Sequence, residues 1–233
     1  MSHSRPLRFF VPGFVVLTLA FVVSSASAVV VPYTEDFSAG VSGWTDSDNA
    51  DALGHVSSGG PGDAAYVTTT FDFTGSVADA QIVLFRGQDL NNASGDAFVG
   101  NWITAGVSQY SFQVRQDTGE ALSFFTRFAT SANFPGAAGV GFVPVASGVW
   151  TTITIDINST GPQLIYEGGP SNYNSVFGNL GNLQVGFLVP GSLAGDTETF
   201  NFGLTNVSVI PEPASLILMG LGSLAMFRRS KRR

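Results

Sequence analysis

The chain has 233 residues, a formal charge of −7 and no cysteine, which removes disulfides, thiol catalysis and cysteine-ligated metals together. Between residues 29 and 210 stand three arginines, Arg86, Arg115 and Arg127, against sixteen acids, a charge of −13 with no lysine. Binding to a phosphate backbone needs clustered Lys and Arg, so nucleic acid is excluded as a partner, while cations, neutral glycans and water stay compatible.

The first element in chain order is a signal segment, residues 1–28. Arg5 and Arg8 supply a positive start, Phe9 to Val23 an apolar run, and Ala26-Ser27-Ala28 a small-residue cleavage site. The apolar run is expected to form a signal helix, with cleavage leaving Val29 as the new first residue. A protein with two permanent membrane spans is the minor alternative, because the cleavage site speaks for removal.

Residues 29–210 read as β throughout. Turn residues recur about every 8–12 positions, and the segments between them alternate with period 2. Tyr66 to Phe73 is β-branched and aromatic, and Gln81 to Arg86 is a short apolar run. In Gln109 to Arg115 the apolar Tyr110, Phe112 and Val114 alternate with polar residues. Ala121 to Phe128 comes after an Asp117-Thr118-Gly119 turn, so these two segments are expected to pair as a hairpin. Ile153, Ile155 and Ile157 alternate with Thr152, Thr154 and Asp156, and Leu183 to Val189 and Phe200 to Val209 complete the set. Eight or nine strands with local connections and no 3.6 period argue an all-β fold, an antiparallel two-sheet sandwich of jelly-roll type. A right-handed β-solenoid is the alternative, and the lack of a fixed internal period counts against it.

The last element is residues 211–233. Pro211-Glu212-Pro213 precedes 14 uncharged, mostly apolar residues, Ala214 to Phe227, and then come the cations Arg228, Arg229, Lys231, Arg232 and Arg233. Pro213 fits the first turn of a helix, and cations beside an apolar helix are held on the cytoplasmic side. Fourteen residues rise ~21 Å, short of a ~30 Å hydrocarbon core, which suits a temporary single transmembrane helix.

Motif, apolar helix and basic stop, in that order, resemble the PEP-CTERM sorting tail. The resemblance implies an exosortase-type processing peptidase as partner, a transient inner-membrane intermediate, and delivery to the cell surface or an exopolysaccharide matrix. A second resemblance covers the middle. Tyr33-Thr34-Glu35-Asp36-Phe37, Gly43-Trp44, Gly59 to Tyr66, Val149 to Ile153 and Thr205 to Val209 look like the strands of lectin-like jelly rolls and carbohydrate-binding modules. It implies glycan binding, and a structural calcium held by a glutamate near the N-terminus and an acid in the last strand. Glu35 is present, but Thr205 or Asn206 stands where that acid belongs.

Three constellations are candidates for chemistry. Asp46, Asp48 and Asp51 place oxygen ligands in one loop and, with Glu35, make a candidate calcium set, although EF-hand spacing fails and an Asx-rich solvated loop explains them as well. Among the aromatics Trp44, Trp102, Trp150, Tyr110, Tyr166 and Tyr173, Trp44 and Trp150 adjoin strands and read as packing. Trp102 comes after a loop of small and polar residues and is the candidate for stacking on a sugar. Glu35, Glu120 and Glu198 form no E-x-D-x-x-E pattern, and His55 is the one histidine of residues 29–210, so no catalytic residue is assigned. The expected function is that of a non-catalytic exported protein. The alternative is a jelly-roll glycoside hydrolase or polysaccharide lyase.

Overall fold

The computed structural model describes residues 28–47, 53–169 and 172–212. The expected signal helix and the expected transmembrane helix of the tail lie outside these residues. Among the described residues eleven strands occur in the order β1 (Tyr33–Glu35), β2 (Gly54–Val56), β3 (Tyr66–Asp72), β4 (Gln81–Gln88), β5 (Val107–Gln116), β6 (Ser123–Thr130), β7 (Gly136–Val140), β8 (Thr151–Asp156), β9 (Leu164–Tyr166), β10 (Leu180–Leu188) and β11 (Thr199–Pro211), with one short α-helix, α1 (Tyr173–Phe177). One sheet runs β2-β3-β11-β5-β8, with β1 also paired to β11, and the other runs β4-β10-β6-β7-β9. Every strand pairing is antiparallel. β3 and β4, β5 and β6, and β10 and β11 each pass from one sheet to the other, the interleaving of a jelly roll.

That interleaving corrects one expectation. β5 pairs with β11 and β8, whereas β6 pairs with β10 and β7, so the Asp117-Thr118-Gly119 turn joins two sheets and does not close a hairpin. The buried Gln116 explains the crossing: its Nε2 donates to the carbonyls of Glu120 and Val145, and its Oε1 accepts from the backbone and hydroxyl of Thr118. One amide satisfies the corner's buried polar groups where ladder bonds stop.

The core follows the period-2 pattern. Tyr110, Phe112 and Val114 of β5 point inward with Ile153 and Ile155 of β8 and Phe202 and Leu204 of β11. The opposite sheet contributes Phe124, Phe128, Leu183, Val185 and Phe187. Phe187 stacks on Phe202 at 5.2 Å across the layers, and Tyr110 meets Phe128 edge-on at 5.2 Å. Such aromatic pairs add to the area they bury. With no disulfide available, this layer is the main source of stability.

Candidate functional site

The three tryptophans separate sharply. Trp102 is fully buried. Its Nε1 donates to the Phe98 carbonyl at 2.7 Å, and its ring packs against Tyr110, Phe128 and Phe177. The expectation that it is exposed for stacking is therefore wrong. The small and polar residues before it fold as short 3₁₀ turns that cap one end of the sandwich and carry the indole inside. Trp44 is also buried, donating to Ser94 Oγ and filling the space above Gly87, where a Cβ would come within 2.7 Å of the ring.

Trp150 is half-exposed instead. It precedes β8 and turns onto the outer face of the sheet. There its ring meets that of Tyr66, from β3, edge-on at 5.2 Å. Both lie over Gly203 of β11: a Cβ at Gly203 would stand 2.8 Å from Trp150 and 3.3 Å from Tyr66. The register makes this possible, since Gly203 faces Thr68 on one side and Arg115 on the other. A missing side chain in the middle strand thus leaves a trough that two aromatics from flanking segments cover.

Beside the pair opens a pocket of about 300 Å³, lined by Tyr66, Thr68, Arg115, Asp117, Trp150 and Asn201, with Gln116, Phe202 and Gly203 at its base. Asp117 accepts from the Asn201 backbone at 2.7 Å and from its Nδ2 at 2.8 Å, which fixes both side chains. Arg115 is held by one bond, from Nε to the Gly148 carbonyl. The pocket's volume matches the lower end of small-ligand sites, as does its mix of aromatic faces and few, oriented polar groups. A second cleft of about 1180 Å³ at the capped end includes Asp89, Leu90, Asp96, Asn101 and Thr104 in its wall and has no aromatic lining.

Of the residues considered for calcium, Glu35 and the last-strand positions Thr205 and Asn206 fall among the described residues and make protein hydrogen bonds there. Glu35 is buried, and its carboxylate accepts from the Phe37 backbone at 2.9 Å and the Tyr33 hydroxyl at 3.2 Å. Thr205 is fully buried and donates to the Ala65 carbonyl at 2.7 Å, and Asn206 donates to Gln113. No group of three or more acidic or histidine side chains that could hold a metal occurs among the described residues. Asp48 and Asp51 lie outside them, and Asp46 stands in the loop beside them.

The glutamates are likewise spread over local tasks. Glu120 accepts from Ser192, and Glu167 pairs with Arg127 at 2.7 Å. The Arg127 hydrogen bonds hold the Glu167 carboxyl below the usual carboxylate range. Asn133 accepts from Arg127 and from Gln184, extending a polar network on the outer face of the second sheet. His55 bonds the Phe37 carbonyl through Nε2 at 2.8 Å, an anchoring role. Glu167 is a fourth glutamate of residues 29–210 beside Glu35, Glu120 and Glu198, and its pairing with an arginine forty residues away has no sequence signal.

The sorting motif begins inside the fold. Pro211 is the last residue of β11 and is buried, and the Glu212 backbone donates to the Gly106 carbonyl at 2.9 Å. Pro213 and the basic cluster from Arg228 to Arg233 lie outside the described residues.

Comparison with solved structures finds matches of low similarity. The CBM22-1–GH10 modules of xylanase 10B from Clostridium thermocellum share 14% identity at a TM-score of 0.46, over 80% of this chain and 30% of that one. The chain thus spans less than a third of that protein's length. The family 11 carbohydrate-binding module of cellulase Lic26A-Cel5E from Clostridium thermocellum shares 13% at 0.45, over 79% and 96% of the two chains. The K1 cleaved adhesin domain of Lys-gingipain from Porphyromonas gingivalis W83 shares 14% at 0.41, over 78% and 99%. No curated protein matches the chain. The family model that does match is the PEP-CTERM protein-sorting motif, over residues 209–233. The two-sheet sandwich of this chain therefore runs directly into a PEP-CTERM sorting motif that starts within its last strand.

Proposed function

We propose that this is an exported, non-catalytic glycan-binding protein of the exopolysaccharide matrix, with its ligand face at the Tyr66–Trp150 pocket. The observation that carries the reading is the half-exposed aromatic pair over Gly203, flanked by Arg115, Asp117 and Asn201. A sugar ring offers an apolar face and a rim of hydroxyls. Aromatic faces accept the first, and a fixed carboxylate–amide pair with a guanidinium addresses the second. The surrounding charge of −13 favours a neutral glycan, because an anionic polymer meets net repulsion that grows as salt is lowered. The separate engagement of Glu35, Glu120 and Glu167 supports a non-catalytic role over the hydrolase or lyase.

A glycan array probed with residues 28–212 tests the reading. Binding to neutral glycans, lost in Trp150→Ala and Tyr66→Ala with the fold intact, is the expected outcome. Turnover of any polysaccharide, abolished by changing a glutamate, would establish the enzyme instead.

Delivery is proposed to run through the tail. An exosortase-type membrane peptidase removes it near Pro211-Glu212-Pro213 after residues 214–227 have held the chain briefly in the inner membrane. Intact mass of the protein recovered outside the cell checks this, and Arg233 still attached in that pool contradicts it.

A further inference from the structure

The sorting motif and the sandwich share residues. The matched motif begins at Val209, which is paired on both sides, with Tyr33 of β1 and Tyr110 of β5. Ile210 pairs with Gln109, and Pro211 with Val107 across a bulge. Pro211 is buried at the sandwich's end, and the Glu212 N–H is bonded to the Gly106 carbonyl. That carbonyl belongs to a turn that is itself fixed. Gly106 has φ of 71° and donates to Ile103, while Val107 donates to the carbonyl of the buried Trp102. No spacer separates the folded domain from Pro211 and Glu212.

A peptidase takes its substrate as an extended segment with free backbone groups and open space around it. In the folded chain, Val209 to Glu212 is extended, but its backbone is committed to β1, β5 and the 101–106 turn. We propose that tail removal proceeds only from a state in which the end of β11 has come away from β5 and that turn, so that the sandwich's own edge sets the processing rate. This rests on the processing reading above. Cleavage of a segment that must first open follows the population of the open form.

The test uses the full chain in cells that carry the peptidase, with pulse–chase and intact mass of the product. One variant inserts eight Gly/Ser residues between Ile210 and Pro211, moving the motif off the sheet. A control inserts the same residues after the exposed Gly75. The expected result is tail removal about tenfold faster in the first variant and unchanged in the control, since two ladder positions no longer need to open. Resistance of the sandwich to added protease, equal in all three chains, shows that the faster rate is not unfolding. An unchanged or slower rate in the first variant overturns the inference. Absence of tail loss in every chain, the insertion variant included, overturns the processing reading on which it depends.

Discussion

Trp102 and Trp150 are the same side chain in opposite situations. Trp102 sits in the capped end of the sandwich, its one polar atom satisfied by Phe98 and its ring faces covered by Tyr110, Phe128 and Phe177. Trp150 lies on the outside of a sheet, held by an edge contact to Tyr66 and by the absence of a side chain at Gly203. The first indole is consumed by packing and has no surface to offer. The second is kept in place by its neighbours and still presents part of its ring to solvent. A binding aromatic needs both properties: support that limits its rotamers, and exposure that leaves a face for the ligand.

Substitutions put this contrast at risk, beginning with the largest effect. Trp102→Ala should destabilise the sandwich by roughly 3–5 kcal/mol in urea melts, the usual cost of emptying a buried aromatic site. A loss below about 1 kcal/mol would mean that the capped end is not packed as described. Ile155→Ala, at a fully buried inward position of β8, should cost about 2–5 kcal/mol. Near-neutrality there would put the phase of β8 out by one residue.

Trp150→Ala should move the melt by only about 1 kcal/mol while weakening glycan binding at least tenfold, about 1.4 kcal/mol. Gly203→Val sharpens the same point from below. Its side chain occupies the trough and displaces both rings, so binding should fall with both aromatics still present, and the backbone should tolerate the change because Gly203 does not sit at positive φ. Unchanged affinity in Gly203→Val would remove the trough from the account.

The smallest effect belongs to Glu167→Gln, far from the pocket. The Glu167 carboxyl is held below its ordinary pKa by Arg127, so its contribution is present above the unfolded value near 4.3 and is lost as pH falls through the lower folded value. Its side chain is 38% exposed, which limits the pair to under about 1 kcal/mol. The variant should have a slightly flatter stability curve between about pH 5 and 3 and the wild-type curve at pH 7 and above, apart from a constant offset.

The strands whose inner faces alternate were readable in the sequence, because Ile153, Ile155 and Phe112 obey the pleat. β7 was not, since Gly136-Ala137-Ala138-Gly139-Val140 carries almost no contrast between its two faces. β2 and β9 are three residues each, too short for a period to register. The pocket was illegible for another reason. It depends on Gly203 of β11, Tyr66 of β3 and Trp150 from the segment before β8 coming together, and a glycine in a strand looks the same in sequence whether it weakens a sheet or makes room for a ring. Trp102 misled because its loop composition suggests solvent, while the fold uses that loop as a lid on the core.

The central claim is tested most directly by affinity electrophoresis of residues 28–212 in gels cast with neutral polysaccharides and, separately, with uronate-rich ones. The account predicts that a neutral polymer retards the wild-type protein, that Trp150→Ala runs unretarded in the same gel while still folded, its stability lowered by no more than about 1 kcal/mol, and that uronate-rich gels retard neither. Retardation that persists in Trp150→Ala, or that occurs only with the anionic polymer, would contradict it.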